Sequence, residues 1–588
     1  MEQMNVTIDG IQVSVPKGST VLDAAKAAGV YIPTLCHMEG HKPLGACRVC
    51  LVEIEGGRGG LQASCAFPAA DGMVVRTNTQ RVRNARKTVV ELMMSAHRQD
   101  CNACNRSLNC ELQALSKRLG IQENRFEGEM PPMIMDTSSP AIVRDSSKCI
   151  LCRRCVEVCQ NVQTVGTLFA VDRGFDTVIA PTAKKELTEA VCVACGQCVS
   201  ACPVGALYEK SHIQKVWDAI ADPDKHVIVQ TAPAVRVAIG EEFGLPAGSR
   251  VTKKMVAGLR RIGFDKVFDT DFTADLTILE EGTEFLGRLK NNGTLPMLTS
   301  CSPGWINFIE YFYPELLPNL STCKSPQQMF GALAKTYYAQ KIGVKPENIF
   351  SVSIMPCTAK KLEAGREEMS VVDGLADVDA VLTTREAAQM MREAGVDFVN
   401  LPDEQYDEPL GIATGAGVIF GATGGVMEAA LRTVYEVVTG ESLENVNFTD
   451  VRGLKGVKEA VVKVGDLDVK VAVASGLSNA RKLMDLIMEG KADYHFIEIM
   501  CCPGGCLGGG GQPIPTTDEI RKARMEAIYA EDEGLPIRKS HENPAVQSLY
   551  EEFLGEPNSH LAHKLLHTHY TPKPLWPTDV EMDEVTSK

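Results

Sequence analysis

No run of 18 apolar residues occurs in the 588-residue chain, so no segment is expected to span a membrane. The opening MEQMNVTIDG has neither a basic n-region nor an apolar h-region, and no twin-arginine leader precedes it. A cytoplasmic location is the expectation that follows. An excess of positive charge is missing too: 60 Lys+Arg stand against 75 Asp+Glu, and the net charge of −15 disfavours nucleic acid as a partner. No Gly-x-Gly-x-x-Gly follows a strand-like run, and GATGGV (421–426) lacks the acidic partner of a dinucleotide site. Neither an NAD site nor a flavin site is expected on this chain.

The length suffices for several cores, and a 44 % hydrophobic share indicates a folded protein. What is present in quantity is cysteine, 21 residues crowded into short-spaced groups. A reducing compartment keeps these as thiols, and cysteines two residues apart are too close to pair comfortably with each other. Metal ligation is the economical explanation. In residues 1–78, strand-like runs (NVTIDG, IQVSVPKGST, VCLVEIEG) and a helical AAKAAG segment surround Cys36, Cys47, Cys50 and Cys65. Their C-x10-C-x2-C-x14-C spacing partly matches a plant-type 2Fe–2S ferredoxin, with zinc as the plainer alternative.

Residues 79–125 open with a 3.6-residue apolar period and continue into His97, Cys101, Cys104 and Cys110. A lone histidine is more often structural than a ligand. This one precedes three cysteines that lack a fourth partner, so a His/Cys3 4Fe–4S centre is expected. Within 140–210, Cys149, Cys152, Cys155 and Cys159 form C-x2-C-x2-C-x3-C, and Cys192, Cys195, Cys198 and Cys202 repeat it. In this two-cluster ferredoxin pattern the last cysteine of each run serves the other cubane. One 4Fe–4S cluster is therefore expected on Cys149, Cys152, Cys155 and Cys202, the other on Cys192, Cys195, Cys198 and Cys159.

From 211 to 517 the texture becomes α/β, with room for two lobes. KHVIVQTAP, KVFDTDF, FSVSIMPC, VDAVLTT, KVAVASG and YHFIEIM read as strands. MVAGLRRIGF reads as a helix ending at Gly263, and DLTILEEGTEFLGRLKNN as another. Residues 518–570 are charged and helical in period, and 571–588 are expected to form a mobile tail. His560, His563, His567 and His569 are oddly spaced in an amphipathic stretch, which favours a structural surface helix over a metal site.

Three loops of the α/β block pair a strand end with cysteine beside proline or glycine: TSCSPGW (299–305), MPCTAKKLE (355–363) and MCCPGGCLGGGGQP (500–513). Together they resemble the signatures of the iron-only (FeFe) hydrogenases, written TSCCPxW, MPCxxKxxE and ExMACxGGCxxGGGxP. The earlier cysteine groups follow the order of the longer members and also resemble the cluster-bearing arm of respiratory complex I. The resemblance covers nearly all of 1–570. It implies a multidomain α+β and α/β protein with a β-grasp-like 2Fe–2S ferredoxin domain (1–78) and a small helical His/Cys cluster domain (79–125). A two-cluster 4Fe–4S ferredoxin domain (140–210), a two-lobed catalytic domain (211–517), a small-subunit-like helical segment (518–570) and a tail (571–588) would follow.

By the same resemblance, Cys357, Cys502 and Cys506 match ligands of the catalytic cubane, Cys506 also bridging to a diiron unit that carries carbon monoxide, cyanide and a dithiolate. Lys360 matches a lysine that hydrogen-bonds cyanide, with Glu363 one turn on to pair with it. Pro233, Gln327, Met355 and Met500 match wall residues, and Glu281, Glu284, Arg288 and Ser321 match a proton path. Two departures stand out: Cys301–Ser302 replaces adjacent cysteines in the first loop, and Cys501 stands where alanine is usual. The expectation is that Cys301 supplies the fourth thiolate and that the Ser302 substitution alters the proton relay. In the alternative, Cys301 is the relay and Cys501 reorganises the ligation. Only Cys323 and Cys501 of the 21 cysteines are left without a ligand role on the first reading.

The function implied is reversible hydrogen chemistry, 2H+ + 2e− ⇌ H2. Electrons would pass through one 2Fe–2S and three 4Fe–4S relay clusters to ferredoxin and to a flavin- and NAD(P)-binding subunit. With a small 2Fe–2S subunit these would form a hetero-oligomer, an electron-bifurcating complex. A hydrogenase-derived redox sensor without turnover and a complex-I-like electron-transfer subunit are the competing readings.

Overall fold

The computed structural model describes residues 2–575 except 58, 131, 444 and 466, so the tail expected from 571 is described only to Leu575. Asp9 and Gly10 both take positive φ (47° and 90°), the two-residue turn that joins Gln3–Ile8 to antiparallel Ile11–Pro16. Gln3–Ile8 pairs in parallel with Val74–Arg76, and Leu51–Ile54 and Gln62–Ala63 complete a mixed five-stranded sheet. Helix Val21–Ala27 is started by a capping box between Thr20 and Asp23. Its Leu22 packs with Val6, Ile8, Val52 and Val75 around Cys50 and Cys65. The predicted helix of the next segment spans Gln80–Ser95, capped by the Thr79 hydroxyl, and stops just short of His97.

Antiparallel strands Ile142–Asp145 and Leu207–Glu209 bracket the double cysteine run. Two short helices inside it, Arg154–Glu157 and Gln197–Ala201, are each entered through a left-handed residue, Arg153 (φ 64°) and Gly196 (φ 70°).

The α/β block holds two four-stranded sheets. One is fully parallel, in the order Lys266–Asp269, His226–Thr231, Ile349–Met355, Ala380–Thr383. The other runs Met297–Leu298, Phe496–Met500, Leu467–Ser475, Val457–Val464, with only the last strand antiparallel. Strands buried on both faces read as continuous apolar runs, which is why they were visible in the sequence. KVFDTDF is a shorter strand than its composition suggests. The Asp269 carboxylate accepts from the Asp271 amide (3.1 Å) and caps the helix Thr270–Lys290, which takes the TDF residues.

All three signature loops leave the C-terminal ends of parallel strands, two from the second sheet and one from the first. That edge is where open α/β sheets hold ligands. The C-terminal helices Asp518–Gly534, Pro544–Leu549 and His560–Leu566 fold back on this block. The histidine-rich stretch is not wholly superficial, contrary to expectation. His567 is buried, with Nε2 3.1 Å from Glu280 Oε2 and Nδ1 2.8 Å from Thr322 Oγ1. The apolar period turns Leu565 and Leu566 inward and carries His567 with them. Among the described residues no helix is long and apolar enough to cross a membrane.

Candidate active site and cysteine centres

The three loops converge on one cavity between the sheets. Cys301, Ser302, Met355, Cys357, Lys360, Met500 and Cys506 line it, together with Pro233 and Gln327. The Lys360 ammonium is fixed at the wall by Glu363 Oε2 (2.8 Å) and donates to the Cys301 carbonyl (3.2 Å). Glu363 Oε2 also accepts from Ser325 (3.0 Å) and from the Gln327 amide (3.1 Å), whose own oxygen is held by Ser353 (2.8 Å). Glu363 Oε2 thus gathers three donors around this buried ion pair, and the Lys360 ammonium keeps one N–H for the cavity. A cation so fixed suits an anionic group in the cavity.

Glycine is required where the third loop presses on its neighbours. A Cβ on Gly509 would lie 2.1 Å from the Pro356 carbonyl, and one on Gly510 2.4 Å from the Cys195 carbonyl. Cys357 faces Cys502 and Cys506, and burial above all pushes the Cys357 and Cys506 thiols up, Cys506 to about 12. Binding a metal ion in place of the protons removes that cost. Cys301 faces differently: beyond burial, the largest influence holding its proton on is Glu281. Ser302 turns its hydroxyl to accept from the Cys501 amide (3.2 Å).

From Cys301 a polar chain leads away from the cavity. Glu281 is buried, and desolvation raises it to about 8 against the offsetting hydrogen bond of Ser321. Ser321 donates to Glu284 Oε2 (3.2 Å), and Arg288 binds Glu284 Oε1 (2.6 Å). Glu281, Ser321, Glu284 and Arg288 are thus brought together in one line. Three further members were not foreseen: Thr322, whose amide and hydroxyl both donate to Glu284 Oε2 (3.0 and 3.1 Å), Tyr570, which donates to the Ser321 carbonyl (3.1 Å), and His567. No periodicity or spacing marks them, because their partners lie far along the chain.

The other cysteines fall into the expected groups, and none forms a disulfide. Cys36, Cys47, Cys50 and Cys65 are buried together; thiol hydrogen bonds from Cys47 and Cys65 pull Cys36 down, and one from Cys65 pulls Cys50 to about 6. One cavity is lined by Cys149, Cys152, Cys155 and Cys202 and a second by Cys159, Cys192, Cys195 and Cys198, the crosswise sets of the sequence reading. His97 keeps a buried Nδ1 without a hydrogen-bond partner, and Cys104 occupies space that a Cβ on Gly205 would invade to 2.5 Å. Cys101 and Cys110 stay partly exposed. Clustered free thiols are the donor chemistry of iron–sulfur groups and fit them. The exception is the first catalytic loop, which offers one sulfur where the signature has two.

Comparison with known families agrees with this architecture. Residues 225–510 match the iron only hydrogenase large subunit, C-terminal domain, and 518–573 the iron hydrogenase small subunit. Residues 1–80 match a 2Fe-2S iron-sulfur cluster binding domain, 86–125 the NADH-ubiquinone oxidoreductase-G iron-sulfur binding region, and 139–208 the ferredoxin-like domain of NADH-quinone oxidoreductase subunit 3. The chain belongs to the iron-only hydrogenases, in a form that carries electron-transfer iron–sulfur domains ahead of the catalytic one.

Its relatives include the NADP-reducing hydrogenase subunit HndD of Solidesulfovibrio fructosivorans, 54 % identical over 97 % of this chain and 99 % of that protein. Iron hydrogenase 1 of Clostridium pasteurianum is 43 % identical over 96 % and 99 %. The solved structure of HydA(deltaEFG), concerned with stepwise [FeFe]-hydrogenase H-cluster assembly, is 46 % identical with a TM-score of 0.56, covering 62 % of this chain and 99 % of that one.

Proposed function

We propose that this hydrogenase interconverts H2 with protons and electrons at a 4Fe–4S cubane joined to a diiron unit in the central cavity. When bound, that group would supply iron to polarise H2 and an amine to take up a proton. The rest falls to the chain. Cys357, Cys502 and Cys506 would hold the cubane, and Lys360, anchored by Glu363, would offer a hydrogen bond to a cyanide of the bound group. Pro233, Gln327, Met355 and Met500 wall the cavity against water. Glu281, Ser321, Glu284 and Arg288 pass protons outward, because carboxyl and hydroxyl groups exchange them over hydrogen-bond distances.

Clusters held by Cys159/Cys192/Cys195/Cys198 and Cys149/Cys152/Cys155/Cys202 would carry electrons toward the His97/Cys101/Cys104/Cys110 centre or a 2Fe–2S group on Cys36, Cys47, Cys50 and Cys65. Two possible exits favour two partners, ferredoxin and a flavin- and NAD(P)-binding subunit, with a small 2Fe–2S subunit in a bifurcating hetero-oligomer. The relative from S. fructosivorans is named a subunit of an NADP-reducing hydrogenase, and this chain has no dinucleotide signature of its own, which supports a separate nucleotide-binding subunit.

The observation carrying the reading is the convergence of three thiol loops from both sheets on a cavity that Lys360 also lines. Infrared spectra of the anaerobically matured chain should show carbonyl and cyanide stretches, with H2 uptake and about 20 iron atoms per chain. Absence of those stretches, or zinc in place of iron, overturns it.

A further inference from the structure

The catalytic cubane needs four ligands, and the set Cys357, Cys502 and Cys506 provides three. Two cysteines compete for the fourth role. Cys301 lines the same cavity, near Cys506 and Lys360, and is also near Glu281, the head of the polar chain. Cys357 is influenced by Cys502 and Cys506 and by Lys360. Cys501 is buried, and its sulfur is within hydrogen-bond reach of the Cys502 sulfur. Ser302, which stands where the signature has its second cysteine, touches Cys501 directly through the 3.2 Å contact to its amide. The residue that lacks the signature's sulfur, Ser302, and the residue that gains one, Cys501, are therefore in direct contact.

A second, independent observation places a hydrogen-bond donor beside the sulfur at 501. Gln163 is 1 % exposed, and its oxygen is engaged by the Leu477 amide (3.1 Å), which turns its Nε2 toward Cys501 Sγ (3.8 Å). A buried amide with its orientation fixed in this way places a donor where a thiolate needs one. The space around that sulfur is also reserved: a Cβ on Gly304 would come within 2.6 Å of it.

We propose that Cys501 supplies the fourth thiolate of the catalytic cubane, compensating for Ser302, and that Cys301 is left free as the first group of the proton path. The proposal rests on the hydrogenase reading. On binding iron the Cys501 thiol gives up its proton and forms one Fe–S bond, with no change of oxidation state. Because Cys501 also lies within hydrogen-bond reach of Cys195, the exchange puts a cubane ligand on the side facing the neighbouring relay centre.

The test uses the full chain, produced without diiron maturation and reconstituted anaerobically with iron and sulfide, and read by iron analysis and paramagnetic resonance. Cys501→Ala should lose about four iron atoms and one cubane signal while the relay signals persist. Cys301→Ala should keep the full complement, and Ser302→Cys in the Cys501→Ala background should restore it. Retention of every cubane in Cys501→Ala, or loss of one in Cys301→Ala, overturns the proposal. If the double variant fails to recover the cubane, the spatial exchange between 302 and 501 is refuted as well. If the unsubstituted chain assembles only the relay centres, the hydrogenase reading fails instead, so the two failures are distinguishable.

Discussion

Glu281 shows at the scale of one residue how burial sets chemistry. Its carboxyl sits among helix and loop atoms with one oxygen unpartnered, and desolvation raises it to about 8. An acid protonated at neutral pH donates and regains a proton readily, whereas an amide at the same place cannot release one. Glu281→Gln should therefore lower H2 turnover by about 10²–10⁴-fold, measured with a dye acceptor at saturating H2, with cluster content unchanged. The sign of its effect on stability is also determined. The unfolded chain releases this proton near pH 4.3 and the folded chain only near 8, so the contribution of Glu281 is fully present below about 4 and lost as pH rises to about 8. Thermal unfolding of Glu281→Gln across that window should show a shallower decline than the unsubstituted chain; an equal slope sinks the assignment. Little of this was legible locally, since by spacing alone Glu281 and Glu284 read better as a solvated helix face. Contacts from the 300 and 321 loops create the environment, and only the resemblance pointed to them.

At the scale of elements the strands were the most legible, because a parallel strand covered on both faces must be apolar throughout, as in HVIVQT and FIEIM. The boundary at Asp269 was missed because a capping carboxylate, not an apolar pattern, ends that strand. The attachment of the C-terminal helices was illegible for another reason: it depends on ion pairs between residues one hundred positions apart. Arg432, on the helix Gly425–Thr439, binds Asp532 Oδ2 (2.9 Å) and Glu428 Oε1 (2.7 Å), all three fully buried. Arg538 joins Asp532 at 2.6 Å. Removing one member strands a buried guanidinium, so Asp532→Asn should destabilise by about 3–5 kcal/mol in urea unfolding. Hydrogen exchange should accelerate first in Asp518–Gly534. A loss below about 1 kcal/mol would mean that water, not Asp532, satisfies Arg432.

Across the whole molecule, the decisive contact joins the relay region to the catalytic block. The Thr358 hydroxyl donates to the Ala194 carbonyl (2.6 Å), Gln197 donates to the Gly508 carbonyl (2.9 Å), and Arg385 ties the Gly510 carbonyl to Glu209. Backbone meets backbone here, since a Cβ on Gly510 would lie 2.6 Å from the Gly196 Cα. The glycine run therefore also lets the Cys195 loop approach. Gly510→Ala should push these two loops apart while leaving the cavity side of the third loop intact. Exchange of deuterium between D2 and water needs only the catalytic centre and its proton path, whereas H2-driven reduction of a dye needs electrons to leave through the relay. Gly510→Ala should therefore retain most of the isotope exchange and lose at least about tenfold in dye reduction, equivalent to some 1.4 kcal/mol in barrier. If both activities fall together, the substitution has damaged the cavity itself. If neither falls, electrons leave by a route that does not cross the Cys195–Gly510 contact, and the order of relay centres proposed above is wrong.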